Sequence, residues 1–104
     1  MPPRRRYERD EPIAPGILMR CRWDVERDVV SFAVVLVIWA YGAWRPVALF
    51  DCSHDERNDW HRYDRHGLKG AAEPFHHGTP AEGYREAVAL IRADHERMIE
   101  QWRP

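Results

Sequence analysis

Ile17, Met19, Cys21 and Trp23 alternate with Leu18, Arg20 and Arg22, the period of two expected of a strand with one buried face. Asp24 to Asp28 reads as a charged turn. From Val29 to Tyr41 the alternation gives way to a nearly continuous apolar run. Val30, Phe32, Val34, Leu36 and Ile38 line one face of it, and Val29, Ala33, Val35 and Val37 the other. A run apolar on both faces predicts a central strand covered on both sides. Gly42-Ala43 fits a hairpin tip and Trp44 to Cys52 the returning strand. Pro46 cannot donate to a ladder, so it belongs near that strand's start or at an edge. Arg57 to Asp64 repeats a weaker alternation, His61 and Tyr63 against Trp60 and Arg62. Gly67 and Gly70 then break the chain. Residues 66–78 read as a loop with a short extended piece at Pro74-Phe75-His76.

The last element carries the clearest local signals. Thr79-Pro80-Ala81-Glu82 supplies an N-cap, a proline at the first helical position and a glutamate three residues after the cap. The threonine oxygen can accept from the third amide while the glutamate reaches back to the cap amide. Tyr84, Val88, Ile91, Met98 and Trp102 follow at spacings that keep one face apolar, flanked by Ala87 and Ile99. A helix over about residues 80–102 is predicted. The fold class is α+β: a three- to four-stranded antiparallel sheet with one long C-terminal helix packed on it, a single domain over residues 17–104. The helix's apolar stripe would serve its own sheet or the seam of a homodimer. Residues 1–16 hold four of the eight prolines and a dense mixture of both charges. They are expected to form a disordered arm, because such a segment buries too little to order itself.

Composition narrows the function classes. The chain has 104 residues and a net charge of −1, which argues against a uniformly basic nucleic-acid binder but not against a local basic patch. Lys69 is the only lysine, so the remaining cations are arginines, which grip phosphate through two parallel bonds. Cys21 and Cys52 have no metal or redox spacing, and no secretory signal is evident, so a cytoplasmic chain with free thiols is expected. Val29 to Trp44 is 16 residues long without a charge, short of the roughly 20 a spanning helix needs, and its β-branched content favours a strand. No membrane partner is expected.

Candidate chemistry clusters late in the chain. Five of the six histidines, His54, His61, His66, His76 and His77, fall between positions 54 and 77, with Arg57, Arg62, Arg65 and Lys69. One reading is metal-independent RNA cleavage. Histidine serves as base or acid near neutral pH, arginine holds the phosphate, and tyrosine stacks on a base or donates a proton. Trp60-His61-Arg62-Tyr63 carries all three types. His61 is the expected base or acid and Arg62 the phosphate clamp, with His54 and Tyr63 in support. Arg57, Arg65 and Lys69, with Arg4, Arg5 and Arg6 of the arm, are the expected nucleic-acid contacts. On a regular strand, however, His61 and Arg62 point to opposite faces. Asp51, Cys52 and His54 are zinc-type ligands, but no spacing matches a ligand pattern, so neither metal nor cofactor is expected. His95, between Ile91 and Met98 on the helix stripe, reads as a hydrogen-bonded core histidine. Trp23, Trp39, Trp44 and Trp60 read as core or rim.

The middle of the chain also resembles a known family. A valine-rich strand leads to Tyr41-Gly42-Ala43-Trp44-Arg45-Pro46-Val47, then Phe50-Asp51 and His54, and after a spacer His61-Arg62-Tyr63-Asp64 and a glycine. This resembles short prokaryotic domains similar to the TumE-type toxins of toxin–antitoxin systems. The resemblance spans roughly 70 residues. It implies a cytoplasmic RNA-directed toxin paired with a small helix-turn-helix antitoxin, and carries over Asp51, His54, His61 and Arg62. Asp55, Glu56 and Asp59 dilute the basic loop of that family. The alternative is a non-catalytic protein-interaction module of phage or mobile-element origin, with exposed aromatics as its working surface.

Overall fold

The structure, a computed structural model, describes residues 2–52 and 57–103. It has six strands and one helix: β1 (Arg5–Ala14), β2 (Ile17–Glu26), β3 (Asp28–Ala40), β4 (Ala43–Cys52), β5 (Asn58–Arg62), β6 (Glu73–His76) and α1 (Pro80–Trp102). The strands form one antiparallel sheet in chain order, a meander from β1 to β6. The α+β class and the C-terminal helix are as expected. The sheet is wider than the expected three or four strands, because β1 and β6 join it.

Strand β1 comprises most of the segment expected to be a disordered arm. It buries little by itself, but β2 offers it a complete ladder from Arg5 opposite Val25 to Ala14 opposite Ile17. Side chains fasten it on both faces. Asp24 of β2 is 4% exposed and accepts from Arg6 Nε at 2.9 Å, Arg4 at 3.1 Å and the Ser31 hydroxyl at 2.7 Å. On the helix side, Arg92 of α1 grips both oxygens of Glu11, at 2.9 and 2.6 Å. The Arg6 bond, then those of Ser31 and Arg4, hold the Asp24 carboxyl well below the usual carboxylate range. A depressed carboxyl stabilises the fold above its unfolded pKa, about 3.9, and that stabilisation is lost as pH falls below it. Asp24→Asn should therefore cost about 1–2 kcal/mol at neutral pH, the arginines being half exposed. Denaturant unfolding at neutral pH and in acid should show the difference from wild type shrinking in acid.

The β3–β4 turn has two left-handed residues, Tyr41 (φ 53°) and Gly42 (φ 78°). That is the geometry of the two-residue turn whose twist suits a hairpin, so the tip sits one residue earlier than expected. Pro46 lies inside β4, at a bulge where Val37 faces Pro46 after Leu36 has faced Ala48. The extra residue relieves the ladder where proline has no N–H.

Helix α1 starts with the full capping box: Thr79 Oγ1 accepts from Glu82 N, and Glu82 accepts from Thr79 N. It lies across β3 and β4. Ala87, Val88, Ile91, Ile99 and Trp102 pack there on Met19, Phe32, Val34, Leu36, Ala48 and Phe50. Only this face of the sheet is covered. On the other, Val37 is buried but Ala33 and Val35 stay half-buried, so the expected cover on both sides is met only at one end of β3; the described chain has a single helix. Trp23 and Trp60 sit at the rim of the core, but Trp39 and Trp44 are 54% and 41% exposed and pack edge-on against each other. No described helix is long and apolar enough to cross a membrane.

Candidate functional site

The β4–β5 register decides which side chains meet. Phe50 faces Trp60, and both turn toward the helix-covered core. Asp51 faces Asp59 and Leu49 faces His61. By alternation, Asp51, Asp59 and His61 share the opposite, uncovered face. His61 Nδ1 lies 3.0 Å from the Gly70 carbonyl oxygen. A carbonyl only accepts, so Nδ1 is the donor here, and in the neutral ring Nε2 is the nitrogen that carries the lone pair. That Nε2 lies 4.0 Å from Asp51 Oδ1. The backbone supplies the orienting carbonyl. After β5 the chain turns at 64–68, where Asp64 Oδ1 accepts from the His66 and Leu68 amides, and a bridge pairs Tyr63 with Lys69. Gly70 then returns against Arg62, donating to its carbonyl at 2.7 Å.

Electrostatics tune this group. Burial pushes the Asp51 carboxyl up; His61, Lys69 and Arg22 act against the rise, and the neighbouring Asp59 adds to it. Asp59 is 3% exposed, with the Arg57 guanidinium 3.8 Å away. The result is a half-buried histidine oriented by a backbone carbonyl, a carboxyl whose pKa burial raises, and cations around them. An oriented imidazole of this kind is a general acid–base group.

Other expected site residues lie elsewhere. Arg62 does not join His61. It points to the helix side of β5, its guanidinium carbon 4.6 Å from the centre of the Trp60 ring. Tyr63 lines a small cavity with Trp60, Arg62, Met98 and Trp102. His54 lies outside the described residues. Arg4 and Arg6 are committed to Asp24, and Arg5 is exposed on β1. Arg65 and Lys69 are exposed beyond β5, so the arm cations and the loop cations lie toward opposite edges of the six-stranded sheet and make no common patch. His95 is half-buried, its Nδ1 3.3 Å from the Arg92 carbonyl, and not a core residue. Among the described residues no three His, Cys, Asp or Glu side chains gather to hold a metal ion.

Asp59 and Gly70 escaped the sequence reading. The signal for Asp59 was its spacing of two from His61; that for Gly70 needed the return of the loop. A Cβ on Gly70 would sit 2.9 Å from the Arg62 carbonyl oxygen, so the loop can approach this closely only with glycine. Gly70→Ala should push the loop outward and free the His61 ring. The expected result is a stability loss of about 1 kcal/mol and, by nitrogen NMR of the imidazole, a mixture of both neutral tautomers where wild type shows one.

The family model described as a domain of unknown function, DUF7718, matches residues 5–103, and so takes in β1. No curated protein and no solved structure matches the chain.

Proposed function

The chain belongs to the DUF7718 family, and we propose that it is a small RNA-directed protein of the toxin type, acting in the cytoplasm as a metal-independent ribonuclease. The observation that supports this reading is the His61 ring, fixed by the Gly70 carbonyl with its free Nε2 beside Asp51. In the proposed reaction, Nε2 takes the proton of an RNA 2′-hydroxyl. The 2′-oxygen bonds to phosphorus, the 5′-oxygen bond breaks, and that oxygen leaves with a proton from water. Lys69 and Arg22 take the charge-stabilising role first assigned to Arg62. A small helix-turn-helix antitoxin is the partner this reading implies.

The test is induced expression in a bacterial host, wild type against His61→Ala, following growth and RNA integrity. Arrest with RNA decay in wild type alone upholds the reading. A second reading, a protein-interaction module, is favoured by Trp39, Trp44 and Tyr41 standing exposed at one end of the sheet, beside an apolar groove lined by Pro12, Ile13, Pro15 and Leu18. Intact RNA together with growth effects that depend on Trp39 and Trp44 would select it.

A further inference from the structure

A cavity of about 240 Å³ opens on the helix side of β5, between that strand, β6 and the second half of α1. Its floor is aromatic. Phe50 stacks under Trp60 at 5.4 Å and 18°, and Phe75 meets Phe50 edge-on at 5.0 Å. The Arg62 guanidinium lies over the Trp60 ring, 4.6 Å from its centre. Arg62 is exposed and Trp60 half-buried, and a solvent-exposed guanidinium gains only a little energy from the ring beneath it, so a flat ring can displace it. Arg97, also exposed, stands at the mouth, and among the described residues neither arginine has a carboxylate within salt-bridge distance. Asp94 is on the same wall, likewise without an ion pair. Two uncommitted guanidinium groups and one carboxylate leave the mouth with one net positive charge.

We propose that this cavity binds a flat aromatic ring carrying one anionic group, namely a nucleotide. The base replaces the Arg62 guanidinium on Trp60, and its phosphate takes both Arg62 and Arg97. Asp94 and Gln101 remain to bond the base edge or the sugar. Arg62 thus keeps a phosphate-holding role, but on the face opposite His61. A free mononucleotide and a nucleotide within a single RNA strand offer the same chemistry; only the strand depends on the RNA reading above.

The experiment is calorimetric titration of the full chain with adenosine 5′-monophosphate and with single-stranded oligoadenylate, each variant first shown to be folded by circular dichroism. Both probes should bind. Arg62→Gln and Arg97→Gln should each weaken both by about tenfold, the loss of one charge-assisted contact. Gln101→Trp, filling the mouth from an exposed position, should abolish both, and Arg20→Gln on the far face should change neither. Monophosphate binding with this pattern but no strand binding upholds the cavity with the free nucleotide as ligand, and counts against the RNA reading. No monophosphate binding at millimolar concentration, or binding indifferent to the three cavity variants, overturns the proposal. Strand binding that persists in those variants leaves the RNA reading standing.

Discussion

On the proposed ribonuclease reading, replacing His61 by alanine should lower RNA cleavage by at least about a hundredfold, the usual loss with one positioned acid–base group. That corresponds to about 2.7 kcal/mol of barrier. Stability should change by only about 1–2 kcal/mol, because the deleted side chain, 15% exposed, gives up its packing and one hydrogen bond to the Gly70 carbonyl, which water can re-solvate. The separation of the two effects is the content of the prediction. Cleavage rates on a synthetic RNA and denaturant midpoints, measured on the same two preparations, check it. Equal cleavage by both proteins would remove His61 from the chemistry. Asp51→Asn should then distinguish a carboxyl that stabilises the ring once Nε2 has taken the proton from a bystander: the first predicts a changed pH profile of cleavage, the second an unchanged one.

Gly83→Ala should destabilise the protein by about 2–4 kcal/mol. In an ordinary helix this exchange stabilises by about 1 kcal/mol, so the expected sign is reversed. The cause is Asn58. It is 1% exposed, and its side chain lies against the first turn of α1, donating to the Gly78 and Thr79 carbonyls at 3.1 and 3.3 Å. A Cβ on Gly83 would fall only 2.2 Å from Asn58 Oδ1. Either the helix start lifts from β5 or Asn58 swings away and leaves both carbonyls, combining overpacking with lost buried hydrogen bonds. Thermal or denaturant unfolding of Gly83→Ala, of Asn58→Ala and of the double variant makes the test. The double variant should be less destabilised than the sum of the singles, since the clash needs both atoms. A Gly83→Ala variant as stable as wild type would show that the helix start adjusts freely.

Helix α1 could be read almost to the residue because its signals are local: a cap, a proline, a glutamate and an apolar stripe within one segment. Strand β2 was legible from alternation, β3 from its continuous apolar run and β4 from the return after a hairpin tip, signals that also require only neighbours. Strand β1 was not, because its order comes from partners far along the chain, Asp24 in β2 and Arg92 in α1. The candidate site divides the same way. Alternation alone predicts that His61 and Arg62 part company, and they do. That His61 meets Asp51 and the Gly70 carbonyl depends on the β4–β5 register and the path of a ten-residue loop, Tyr63 to Ala72, which no pattern within the strand encodes.

The order of the elements bears on how the chain is made. Every strand pairs with the one synthesised just before it, so the sheet can grow as the polypeptide leaves the ribosome, hairpin by hairpin, with little loop entropy to overcome. Its cover, however, comes last. Until residues 80–102 have emerged, Met19, Val34, Leu36 and Phe50 lie open on a formed or forming sheet. At typical translation speeds that interval lasts about one to five seconds, during which the nascent chain is the species most in need of a chaperone.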